Sequence, residues 1–370
     1  MALQAARQWC YAKVMGATRR PWGIDWGVVG WATSLGLFAV FVVMDVRLVS
    51  LVLRSQPLGL DFLPVWTAKR VDPSQVYDFA LMTSRQAWLY VGKIRPFVYP
   101  PSALLVLQPF LWPPYWIAYA VFMAASGGLY LWAGRRLGAS WLMVVPSPVV
   151  LVALAGQLTF LIGGLVMLAI TLPKRPWLAG LLFGVAGAIK PQLLVLLPVA
   201  LAVEGNWRTF VATGVTATAL VAASLVLGVS WLAWAQALPR FQDLVEADPR
   251  LVASAISPYA AWGWPALLAA VPPALAMVWL AFRRDRPAER VLALLGGAML
   301  VSPYVMNYEF ALIVPALLAL DRRVFWVAAV WLGLVFLSVG ALTLAIAMLL
   351  LLHSLSLRAD GNENAGQRLG

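Results

Sequence analysis

From residue 28 onward the chain alternates long apolar runs with short polar turns, in blocks too long for strands and suited to helices that cross a bilayer. Runs over 28–50, 113–134, 140–156, 157–172, 176–190, 191–204, 207–229, 259–282, 288–302 and 304–320 each predict a span. The stretch 324–357, with Gly340 at its middle, predicts a hairpin of two short helices. This makes about 12 crossings in one bundle, because lipid leaves no backbone polar group unpaired outside a helix. The expected fold class is an all-α polytopic membrane protein of about 10–12 transmembrane helices. Several middle runs hold only ~14–17 residues where a crossing takes ~20, which predicts helices that stop part way and leave a cavity.

Two longer segments break the alternation. Residues 51–101 interleave charges with aromatic and aliphatic side chains, as in "YDFALMTSRQAWLYVGKIRPFVYPP". Residues 230–258 read as an amphipathic helix with its own Trp anchors. Segments of this kind lie along a membrane surface, so both are expected to roof the outer side of a transmembrane domain over 28–357. Residues 1–27 read as a cytoplasmic lead-in and 358–370 as a disordered polar tail.

Composition agrees with this pattern: 62% of the 370 residues are hydrophobic and 11% charged. The net charge of +12 would suit nucleic acid if it were spread over a surface. It is concentrated instead in alternate turns, "RRLG" (135–138), "PKRP" (173–176), "EGNWR" (204–208), "RRDRPAER" (283–290) and "DRR" (321–323). These are positive-inside turns, and no nucleic-acid partner is expected. The 51–101 segment breaks the rule with Arg54, Lys69, Arg70, Arg85, Lys93 and Arg95 on the outer side. One cysteine, Cys10, allows no disulfide within the chain, and the lone His353 removes most metal-site arguments. Neither a metal nor a cofactor is expected.

Several short constellations could carry chemistry. Asp61, between Gly59-Leu60 and Phe62-Leu63-Pro64, is either a carboxylate held in partly dry surroundings, where general bases are tuned, or the cap of a short helix starting "DFLPVW". "VDPSQVYDF" is a turn in which Asp72 is structural. In "RPFVYPP", Pro100 and Pro101 set a rigid entry into a helix, and Tyr99 can donate to a ligand. Gln157, between two short spans, serves the turn or a polar ligand. Lys190 lies between two apolar helices, where its ammonium must find an anion or reach water; phosphate suits it. "VSPYVMNYEF" supplies Asn307, Tyr308 and Glu309, the last a functional carboxylate or the partner of a roof cation.

An early Asp-Phe, "DPSQVYD", "YPP", "GQ", "KPQ" and a late "SPYVMNYE", in that order over residues 61–320, resemble glycosyltransferase family 87. Its members are the polyprenyl-phosphate-sugar-dependent mannosyltransferases of the GT-C superfamily. The resemblance implies a GT-C-like bundle that moves a hexose, mannose in the family, from a polyprenyl phosphate to a hydroxyl of a glycolipid or glycan. It implies an inverting displacement on the extracytoplasmic face of the plasma membrane, with Asp61 as the base. The family often has Asp where Glu309 stands, and some relatives carry a late histidine that this chain lacks.

A lipid-linked donor among membrane lipids needs cations at the height of its phosphate. Arg85, Lys93, Arg95 and Lys190 are the candidates, and they would account for the broken charge rule. Tyr99, Gln157, Gln192, Asn307, Tyr308 and Glu309 are candidates for sugar or acceptor contacts, with Trp66, Trp262 and Trp264 as stacking faces. No Asp-x-Asp pair occurs, which argues against metal-bound nucleotide-sugar chemistry. A secondary transporter or lipid-linked-sugar flippase is the alternative, since short spans and buried charges would serve it too.

Overall fold

A computed structural model describes residues 42–43, 45–54, 56–91 and 95–320. The predicted hairpin at 324–357, both terminal segments, Cys10, His353 and Lys93 lie outside the described residues. Helix α1 covers 45–54. Short helices α2 (Leu63–Ala68) and α3 (Phe79–Gln86) follow, then α4 (Pro101–Leu111) and the long α5 (Tyr115–Leu137). Next come α6 (Ser147–Ala155), α7 (Thr159–Ile170), α8 (Pro176–Ile189), α9 (Leu197–Glu204) and α10 (Trp207–Ser224). Helices α11 (Trp231–Ala247) and α12 (Pro249–Ser254) fill the second predicted roof segment. Helix α13 (Pro258–Phe282) is followed by α14 (Pro287–Val291), a π turn at Leu292–Gly296 and α15 (Gly297–Val301). A 3-10 stretch, Asn307–Leu312, leads into α16 (Val314–Ala319).

Three of these helices are long and apolar enough to cross a membrane: Tyr115–Leu137, Trp207–Leu227 with its terminal 3-10 turn, and Pro258–Phe282. The middle helices are short as expected, with 9 residues in α6, 12 in α7, 14 in α8 and 8 in α9. Each stop has a local cause. Pro191 keeps Lys190 extended (φ −146°, ψ 77°) and so ends α8. Gly156 ends α6 in the left-handed region at φ +77°, where a Cβ would also lie 2.8 Å from that of Phe62.

Small residues let the bundle close. Added Cβ atoms on Gly180 and Gly184 of α8 would meet Ala212 at 2.4 Å and Thr216 at 2.5 Å, so α8 and α10 approach almost backbone to backbone. This is the small-xxx-small packing that holds helices where lipid supplies no hydrophobic drive. Phe62 stacks on Phe122 at 5.0 Å, and the fully buried Tyr130 donates to the Ala311 carbonyl at 2.6 Å, tying α5 to the 3-10 stretch.

The bundle has two chemically distinct ends. At one, Arg290 pairs with Glu204 at 2.7 Å and donates to the carbonyl of Arg284 at 2.8 Å. Arg286 reaches Glu289 there at 3.1 Å. A shallow pocket lies beside this cluster, lined by apolar ends of α7 to α9 together with Glu204, Asn206, Thr209 and Arg290. Into the other end come residues 59–61, 95–99, 155–157, 188–190 and 304–309.

The Trp anchors of α11 differ from expectation. Trp234 donates its indole N–H to the Val98 carbonyl at 3.1 Å and Trp231 donates to Ser224 at 3.0 Å. They fasten α11 to protein, because an indole N–H that leaves water needs an acceptor.

Candidate functional site

Three of the charges in the first roof segment, Arg70, Asp72 and Asp78, serve the backbone. Asp72 accepts from the Ser74 N–H at 2.9 Å and Asp78 from the Leu81 N–H at 3.0 Å, each capping a short helix. Arg70 lies 3.5 Å over the Trp66 ring and donates to the carbonyls of Leu111, Trp112 and Pro113, which the end of α4 leaves open.

Asp61 does neither. The helix after it starts at Leu63 without a side-chain cap, so the capping role considered for Asp61 is not what its carboxylate does. Its loop is pinned by backbone hydrogen bonds, Gly59 N–H to the Leu154 carbonyl and Asp61 N–H to the Ala155 carbonyl, both at 2.8 Å. The carboxylate then accepts from Arg95 Nη1 at 2.7 Å on Oδ1 and from Gln157 Nε2 at 2.5 Å on Oδ2. Its side chain remains 21% exposed and that of Arg95 26%, so the pair is open to an incoming group.

The extended segment 95–99 is held from three sides. Gln86 donates to the Arg95 carbonyl at 2.9 Å, Tyr77 to the Tyr99 carbonyl at 2.8 Å, and Trp234 to Val98 as above. Pro100 and Pro101 then start α4, as expected of a rigid entry. Tyr99 turns its hydroxyl to Gln157 Oε1 at 3.4 Å. Burial pushes its phenol far above the ordinary tyrosine range, and the charge of Asp61 adds to that, so Tyr99 stays a neutral donor.

A second ion pair lies beside the first. Lys190 and Glu309, 7% and 1% exposed, bond directly. The Lys190 ammonium sits 5.9 Å from the centre of the Tyr308 ring, and the field of Asp61 reaches it. Ser102 at the start of α4 donates to the Ala188 carbonyl at 2.6 Å and so anchors the end of α8. The segment carrying Glu309 is fixed by an antiparallel bridge between Ala255 and Met306 and by the Ser257 hydroxyl on the Pro303 carbonyl at 3.0 Å.

Asp61, Arg95, Tyr99, Gln157, Lys190, Tyr308 and Glu309 thus converge. Arg85 does not: it is exposed on α3, and among the described residues no ion pair or hydrogen bond joins it to the cluster. Gln192 and Asn307 are partly exposed and likewise unjoined. Trp66 donates to the Pro113 carbonyl at 3.0 Å inside an aromatic cluster, while Trp262 and Trp264 are 55% and 61% exposed. Tyr304 was not a candidate from the sequence. Its ring packs edge-on against Phe241 of α11 at 5.1 Å, within electrostatic reach of Asp61 and Arg95. The only signal for it was its spacing of four from Tyr308.

The fold and site define an all-α membrane protein with a polar cluster seated on interrupted helices. The profile of glycosyltransferase family 87 matches residues 97–303, more than half of the chain, which therefore belongs to that family of membrane glycosyltransferases. Comparison with curated proteins and with solved structures gave no match. The matched range takes in Tyr99, Gln157, Lys190 and Gln192; Asp61, Arg95, Asn307, Tyr308 and Glu309 lie outside it.

Proposed function

We propose that the protein transfers a hexose, with mannose the first to test, from a polyprenyl phosphate to a hydroxyl of a glycolipid or glycan on the outer face of the plasma membrane. The observation that carries this reading is the convergence of the Asp61–Arg95 and Lys190–Glu309 pairs at the end of the bundle opposite its basic turns.

A carboxylate offers about four lone-pair sites, and Arg95 and Gln157 take two at Asp61. A third accepts the proton of the acceptor hydroxyl as its oxygen attacks the anomeric carbon. The bond from that carbon to the phosphate oxygen breaks on the opposite face, its electron pair goes to the phosphate, and configuration inverts. Arg95 and Lys190 stabilise the growing charge, a role in which cations are worth most when placed in advance. The leaving phosphate needs no proton, and the proposed reaction uses no metal or other cofactor. Arg85, Lys93, Gln192 and Asn307 have no assigned part in this scheme.

The test supplies purified protein with polyprenyl-phosphate-mannose and hydroxyl acceptors, comparing the parent with Asp61→Asn. Transfer is expected to fall by at least ~100-fold in the variant, the scale of a lost general base, with donor binding retained. Equal rates would reject the assignment of the base, and no transfer from any polyprenyl phosphate sugar would reject the donor class.

A further inference from the structure

The buried ion pair carries a polar atom that the reaction as proposed leaves unused. Glu309 Oε1 bonds Lys190, whereas Oε2 is buried and has no hydrogen-bond partner among the described residues. Tyr304 and Tyr308 stand nearby, both partly buried, and neither hydroxyl donates to another described residue. Buried polar atoms are rarely left unsatisfied, and a bare carboxylate oxygen beside a candidate site and two open hydroxyls asks for a ligand.

Chemistry narrows the ligand. A carboxylate oxygen is an acceptor only, so it needs a donor. An ionised phosphodiester has none, and a prenyl chain has none. Of a hexosyl lipid phosphate, only the sugar offers O–H groups. Because the other Glu309 oxygen holds Lys190, which the proposed reaction sets against the phosphate, the hydroxyl is assigned to the ring carried next to that phosphate. Phenolic hydroxyls both donate and accept, which suits the remaining sugar oxygens.

Resting on the donor reading above, we infer that Glu309, with Tyr304 and Tyr308, forms the subsite for the transferred hexose, Glu309 Oε2 accepting one of its hydroxyls. In this arrangement Glu309 reads the sugar through Oε2 and holds Lys190 through Oε1, and recognition of the hexose is added to recognition of the phosphate by Arg95 and Lys190. The hydrogen bond to a charged acceptor makes the subsite selective: a sugar lacking that hydroxyl would leave the carboxylate oxygen buried and unpaired.

The experiment measures dissociation constants, without acceptor, for polyprenyl-phosphate-mannose and for sugar-free polyprenyl phosphate in zwitterionic nanodiscs. The parent is expected to prefer the sugar-bearing lipid. Glu309→Gln should weaken the sugar-bearing lipid by roughly 10-fold more than the sugar-free lipid, so that the preference for the sugar is lost whatever the freed Lys190 ammonium does to phosphate binding. Equal losses on both lipids, or none on either, would overturn the inference. If Glu309→Gln does not fold, Tyr308→Phe decides by the same comparison, with an expected drop in sugar preference of roughly 5-fold. A parent that binds both lipids equally overturns this subsite alone; a parent that binds neither overturns the donor reading beneath it.

Discussion

The Gln157 amide donates to Asp61 Oδ2 at 2.5 Å across 96 positions of the chain, joining the turn between α6 and α7 to the first roof segment. With Tyr99 facing its Oε1, Gln157 is itself held and orients the carboxylate.

Gln157→Ala should therefore keep the fold and lose rate. A hydrogen bond to a charged group contributes about 1.5–3 kcal/mol, which corresponds to a fall in kcat of roughly 10–100-fold. Initial rates at saturating donor, beside an unchanged melting temperature in detergent, check this.

Gly156→Ala should act through stability. A side chain at φ +77° costs ~1–2 kcal/mol, and the contact with Phe62 adds overpacking. A total loss of roughly 2–4 kcal/mol in denaturant unfolding is expected, with activity falling in step as the loop of Asp61 is displaced.

Lys190→Met leaves the Glu309 carboxylate buried alone, and Glu309→Gln leaves the ammonium without its counter-charge. Each should cost about 3–5 kcal/mol, the scale for breaking a buried pair. The double variant should recover much of that stability while remaining inactive. Additive losses in the double variant would show that the two charges do not depend on each other.

Arg290→Ala tests the opposite end of the bundle. It removes the bond to Glu204 and frees carbonyls of Phe282 and Arg284, so unfolding should come at lower temperature. The KM for donor should stay within about 2-fold, because well-separated sites behave independently.

The helical bundle was legible because apolar periodicity and turn charge are local signals. Helix breaks at Gly156 and Pro191 were legible too, since glycine and proline act within one or two residues. Pairing was not. Arg85 and Arg95 read alike in sequence, and only the bonds from Gln86, Tyr77 and Trp234 to the 95–99 segment aim one of them at Asp61. Lys190 and Glu309 each read as a charge in need of a partner, but 119 positions separate them. Tyr304 was hidden because a tyrosine near a membrane surface is ordinary; its meaning comes from what stands beside it.

The loop bearing Asp61 is fixed by main-chain bonds to Leu154 and Ala155, whose strength does not depend on which side chains surround it. In the proposed subsite, substitutions at Tyr304 or Tyr308 would alter which sugar is accepted without shifting that carboxylate. Evolvability is the consequence: new specificities can arise by replacing neighbours one at a time around a stationary reactive group.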